Sequence, residues 1–195
     1  MGKGEKTRQF IIEKAAPIIN RKGMAGTSMS DIMQATNLAK GCLYGNFENK
    51  DEICLEAFNF LSKSYIETLK KHLKKFDSAK EKLFAYLDFS LQDKFRDENG
   101  GCPVINFGVE SDDTNPVIRE RVKQAIRGSQ EMIRKLIVLG IDQGEFQPMV
   151  NPELLALKFY TMLEGAVFIS RIDLDNAHLA KITALIKGEI NEMSQ

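Results

Sequence analysis

The chain has 195 residues, 43% of them hydrophobic, enough for one large domain or two small ones. It holds no run of about 20 apolar residues, which excludes a membrane-spanning helix, and its three cysteines are odd in number and far apart, which argues for a reduced protein without a disulfide framework. Net charge is zero but unevenly shared: residues 1–50 carry 8 Lys and Arg against 4 Asp and Glu, and the remainder carries 19 against 23, so only the N-terminal part suits an anionic partner.

The opening run MGKGEKTRQF lacks the apolar core of a secretory signal, and a cytoplasmic location is expected. Lys3, Lys6 and Arg8 form a basic arm with two readings open, contact with a nucleic-acid backbone or a solvated tail. Residues 6–22 predict a first helix, with Ile11, Ala15 and Ile18 on one face and a kink at Pro17, because a proline in mid-helix removes a hydrogen bond. Gly23 and Gly26 stop it. Ser28 is then a helix N-cap, and Asp31 three residues on completes a capping-box pattern. Met29, Ile32, Met33 and Ala35 give a short apolar stripe, Asn37 suits a left-handed turn, and Leu38 plugs the angle. A second short helix follows over residues 39–47, burying Leu43 and Phe47 and leaving Lys40, Cys42, Tyr44 and Asn46 to point elsewhere. Two short helices joined by a tight turn make a helix-turn-helix, whose second helix is sized for the DNA major groove.

The spacing Ser28-x-x-x-Ile32, then Leu38-Ala39-Lys40-Gly41-x-Leu43-Tyr44-x-x-Phe47-x-x-Lys50, resembles the DNA-binding signature of the TetR family of transcriptional repressors. Three positions depart from it: Asn37 where Gly is usual, Met33 where Ala is usual, and Gly45 where a larger residue is usual. The resemblance implies a helix-turn-helix DNA-binding domain over residues 1–50 and an effector-binding and dimerisation domain over 51–195. It implies a homodimer on double-stranded, palindromic operator DNA, released by a small-molecule effector, with no cofactor. It also implies that Tyr44 gives its hydroxyl to a phosphate and that Lys50 neutralises one. Lys40 would reach a phosphate or a guanine edge. Ser28, Ser30 and Gly41 complete the expected contact set, with Cys42 and Asn46 in it as candidates to face bases, a reading left open.

Asn49 to Glu52 opens a long fourth helix through Ile53, Ala57, Phe60, Leu61, Tyr65 and Leu69 to about Phe76, its acidic first turn matching the helix dipole. Lys70, Lys71, Lys74 and Lys75 at its far end read as a solvated face. Leu83, Phe84, Leu87, Leu91 and Phe95 mark a fifth helix, ending at Asn99-Gly100-Gly101. A short apolar segment runs from Cys102 to Glu110. Pro116 is placed as a first helical residue of a long helix, Val117 to Leu139, which Gly140 and Gly144 end. Asn151-Pro152-Glu153 repeats the cap-and-proline start of an apolar helix, Leu154 to Ser170, and a last helix covers about residues 176–193. No strand pattern appears, so the fold class is all-α with nine or so helices.

Gly140-x-x-x-Gly144-x-Phe146 followed by Asn151-Pro152-Glu153 is similar to the family's regulatory domain, in which the Val117–Leu139 and Leu154–Ser170 helices would pair with their copies. Gly100-Gly101-Cys102-Pro103-Val104 resembles the Gly-Cys helix start of an electrophile-responsive subgroup that includes NemR. A thiol at a helix start is more easily ionised, so a sensor acting through Cys102, without a reversible ligand, is the alternative reading. Cys54 sits on an apolar face and reads as packing. Tyr160, Met162, Glu164 and Phe168 lie in the most apolar helix as effector candidates; for Glu164 a pocket and a subunit interface stay equally open. Phe84, Phe107 and Met162 suit a pocket wall or a core. His72 and His178 fall on separate helices, and no catalytic or metal-ligand constellation is visible, so no enzyme is expected.

Overall fold

The computed structural model describes residues 2–91 and 99–194. These form nine α-helices: α1 Lys3–Lys22, α2 Met29–Thr36, α3 Lys40–Asn46, α4 Lys50–Leu73, α5 Ala79–Leu91, α6 Pro103–Ser111, α7 Pro116–Asp142, α8 Pro152–Asp173 and α9 Ala177–Glu192. The predicted helices are all present. Phe95, expected near the end of the fifth, lies outside the described residues. Among the described residues the sole sheet-like pairing is one isolated bridge, Phe146 to Ser194, and no helix is long and apolar enough to cross a membrane.

The chain divides into two compact units, Met1–Tyr65 with Lys94–Lys123, and Ile66–Asp93 with Gln124–Gln195. Long helices α4 and α7 each contribute residues to both. The first unit buries Ile11, Ala15 and Ile19 of α1, Ile32 of α2, Leu43 of α3, Ile53 and Phe58 of α4, and Phe107 of α6. α6 joins this unit because its polar face meets the end of α1. The buried Asn20 amide donates to the carbonyls of Asn99 and Gly101 at 2.7 and 2.9 Å. The Asn106 amide donates back to the Asn20 carbonyl at 2.8 Å. Gly100, at φ +87, allows this approach, since a Cβ there would stand 2.9 Å from Arg21 Cα.

In the second unit α8 packs on α9, and α5 packs on α9. Glu145 accepts the N–H groups of Ala79 and Lys80, both at 2.9 Å, and so caps the start of α5. The predicted stop of α7 at Gly140 is corrected: the helix continues to Asp142. Gly140 is there for packing, since a Cβ on it would meet the fully buried Phe146 ring at 2.2 Å. The reversal comes at Gly144, with φ +73. Leu154, Leu157, Phe168, Ile169 and Ile172 of α8 and Leu185 of α9 are exposed, whereas α7 exposes among its large apolar residues Val117. Among the described helices of the second unit, the exposed large apolar side chains thus lie on α8 and α9.

Candidate DNA-reading site

α2 starts where the capping pattern predicts. Ser28 has extended backbone, its Oγ accepts from the Asp31 N–H at 3.1 Å, and its own N–H donates to Asp31 Oδ2 at 2.8 Å. Lys22 adds an ion pair to Asp31 at 2.6 Å. The Lys22 and Ser28 hydrogen bonds together hold the Asp31 carboxyl well below the usual carboxylate range. α2 ends at Asn37, which adopts φ 53, ψ 35, the left-handed turn expected of it.

α3 is positioned by its buried side, Leu43 and Phe47, and by a clasp from α1. The Arg8 guanidinium donates to the Asn46 carbonyl at 2.6 Å, to Glu52 at 2.7 Å and to Glu56 at 3.2 Å, and lies 4.2 Å from the centre of the Phe47 ring. Arg8 therefore belongs to neither of the two roles read for the basic arm. It closes the C-terminal end of α3 and ties it to α4, and with the Glu48 N–H it lowers the Glu52 pKa, the backbone hydrogen bond acting most strongly.

The predicted contact residues fall into two groups. Lys40, Gly41 and Tyr44 are exposed on α3, and Ser28 and Ser30 are exposed at the start of α2. Tyr44 is 47% exposed, with the Lys40 ammonium 5.7 Å from its ring centre. A Cβ built on Gly41 or Gly45 would meet nothing within 4 Å, so that side of the helix is bare. The other three are half-buried. The Asn46 amide donates to the Cys42 carbonyl at 2.8 Å, one turn back on its own helix, and both are half-buried. Lys50 donates to the carbonyls of Met24 at 2.8 Å and Thr27 at 3.1 Å. Two of its three N–H groups thus hold the α1–α2 loop, where the sequence pointed to a phosphate.

The effector candidates are distributed over both units. In the first, Cys102 is the N-cap of α6, as its position suggested, yet only 7% exposed. Phe107 is buried with its ring 5.4 Å from that of Phe58, a packing contact. In the second, Tyr160 is buried and Met162 and Glu164 are half-buried, while Phe168 is exposed on the outer side of α8 rather than walling a pocket. A cavity of ≈ 10 Å³, lined by Leu83, Tyr86, Leu87, Ile133, Phe159, Leu163, Ile186 and Ile190, holds none of the predicted effector residues and has room for about one water. Burial raises the Cys54 thiol to about 11, consistent with packing. Among the described residues no group of His, Cys, Asp and Glu is arranged to hold a metal.

A short helix presenting a lysine and a tyrosine, seated on a capped helix and a left-handed turn, defines a helix-turn-helix DNA-binding protein. The profile of bacterial regulatory proteins of the tetR family matches residues 11–57, and that of the tetracyclin repressor-like C-terminal domain matches residues 79–186. The chain belongs to the TetR family and is a TetR-type transcriptional repressor. It is similar to a TetR family regulator from Cytophaga hutchinsonii, 33% identical over 100% of this chain and 98% of that one, with a TM-score of 0.94. A second such structure, from Chloroflexus aurantiacus, is 37% identical over the same shares with a TM-score of 0.91. Among curated relatives, the HTH-type transcriptional repressor DhaR of Mycobacterium sp. (strain GP1) is 24% identical, over 92% of this chain and 89% of its own.

Proposed function

We propose that the protein is a homodimeric repressor that reads a palindromic operator with two copies of α3 and leaves it when a small-molecule effector binds. The observation that carries this reading is the exposed Lys40–Tyr44 face on a helix whose opposite side, Leu43 and Phe47, is locked in the core. Lys40 would reach a phosphate or a guanine edge, Tyr44 would donate to a phosphate, and the bare Gly41–Gly45 side would let the helix backbone approach the base edges. Residues 1–50 would serve as the reader, with effector binding and dimerisation supplied by residues 51–195, in the cytoplasm beside the chromosome.

The dimer has support from α8. Leu154, Leu157, Phe168 and Ile172 follow helical spacing along one exposed stripe, with Leu185 of α9 also exposed. A two-fold pair using that surface would present two recognition helices about 34–36 Å apart, one turn of DNA. A reversible ligand suits the effector better than thiol chemistry, since Cys102 is buried and a reactive thiol must be reached. The test is selection from a random duplex library with full-length protein, alongside sedimentation of the free protein. An inverted repeat bound by a dimer is expected. A monomer, or a selected motif without two-fold symmetry, would sink the proposal.

A further inference from the structure

The loop between α1 and α2, residues 23–27, is gripped from both sides. On one side the Glu110 carboxylate, from the far end of α6, accepts the N–H of Met24 at 3.0 Å and that of Ala25 at 2.9 Å, one oxygen for each. On the other side Lys50 holds the carbonyls of Met24 and Thr27. Gly23 makes room for the acid: it has φ +85, and a Cβ on it would stand 2.3 Å from Glu110 Oε1. The same face of α6 carries Asn106, four residues earlier, which bonds to Asn20 of α1. α6 is thus fastened to α1 and to the loop within one compact unit. Residue 110 is also within the stretch matched by the regulatory-domain profile.

We propose that Glu110 is a positioning residue for DNA reading: its carboxylate fixes the loop that launches α2 and thereby sets the angle at which α2 and α3 meet the duplex. The next residue after the loop is Ser28, the cap of α2, so any shift of the loop moves that cap. Two charge-assisted hydrogen bonds to backbone amides give a firmer hold than neutral partners would. The hold is also directional, since each oxygen has its own N–H. This inference rests on the reading that the protein binds an operator.

Charge alone and positioning predict opposite signs, which makes the test decisive. Removing an acid from a DNA-binding unit would tighten binding to phosphate, whereas releasing the loop would weaken it. Full-length wild type, Glu110→Ala and Glu110→Gln are compared on the duplex that wild type selects from a random library, at a temperature where circular dichroism shows each fully folded. Glu110→Ala is expected to bind about tenfold more weakly with an unchanged salt slope, and Glu110→Gln to fall between. Backbone amide exchange at Met24 and Ala25 should quicken in Glu110→Ala while that of Leu43 stays slow. Equal or tighter binding by Glu110→Ala, or unchanged exchange at Met24 and Ala25, overturns the proposal. The exchange measurement needs no DNA, so a wild type that selects no duplex would count against the operator reading and leave the clamp to be judged on exchange. Should Glu110→Ala fail to fold, Glu110→Gln decides on the same two measurements.

Discussion

At the scale of single residues, the recognition helix separates side chains that reach outward from those that hold it in place. Lys40 and Tyr44 are exposed, whereas Lys50 is spent on two backbone carbonyls and Arg8 on the Asn46 carbonyl and the carboxylates of Glu52 and Glu56. Lys40→Ala should therefore lower the slope of log affinity against log salt by about 1. Lys50→Ala should leave that slope unchanged and instead reduce thermal stability by about 1–3 kcal/mol, because two loop carbonyls lose a charged donor. A slope that falls for Lys50 would return it to the phosphate. Gly45 is a second case. It has ordinary helical backbone and open space where a Cβ would go, so Gly45→Ala should raise stability by about 0.5–1 kcal/mol through helix propensity. A loss in a thermal melt would mean that the position is not as open as it looks. The roles of Ser28, Asp31 and Asn37 were readable from sequence because each acts on neighbours within a few residues. Those of Arg8, Lys50 and Glu110 were not, since their partners lie 23 to 86 positions away and no local pattern encodes such a pairing.

At the scale of elements, the helix starts were legible and some ends were not. Asn151 and Pro152 open α8, and Pro116 opens α7, because a cap and a proline act at the site where they stand. Gly140 misled because a glycine can stop a helix or can admit a neighbouring ring, and only the position of Phe146 distinguishes the two. α2 makes a prediction of its own. The Asp31 carboxyl is held below its ordinary value of 3.8 by Lys22 and Ser28. A depressed carboxylate contributes stability that is fully present above the unfolded value and is lost as pH falls through the folded one. The start of α2 should accordingly be steady at neutral pH and fray once the pH drops below about 4, seen as faster amide exchange at Asp31 and Ile32. Asp31→Asn should lose that acid-dependent step while keeping part of the cap, because Asn is itself a hydrogen-bonding side chain. An acid response that persists in the variant would assign it to another carboxylate.

At the scale of the molecule, what remains unpaired is the α8 stripe. A helix in a finished monomer turns its apolar side inward, yet α8 exposes Leu154, Leu157, Phe168 and Ile172 in register along one side while Phe159, Leu163 and Val167 fill the interior. The sequence showed α8 to be apolar nearly throughout, but not which side would be left uncovered, and the pairing of α7 and α8 with their copies came from the family resemblance alone. α8 packs on α9, and Leu185 of α9 is exposed as well. Phe168→Glu places a charge in the middle of that stripe. If the stripe is the dimer surface, two copies would bring these charges together in a desolvated setting, and the dimer should dissociate in sedimentation. The monomer would keep its reader, since α1 to α3 and their clamps lie in the other compact unit. Binding to a single half-site should then be nearly unchanged, while binding to the full palindrome should fall by roughly 10²–10⁴-fold as the second contact ceases to be intramolecular. A Phe168→Glu protein that stays dimeric and holds the palindrome as tightly as wild type would place the dimer surface elsewhere.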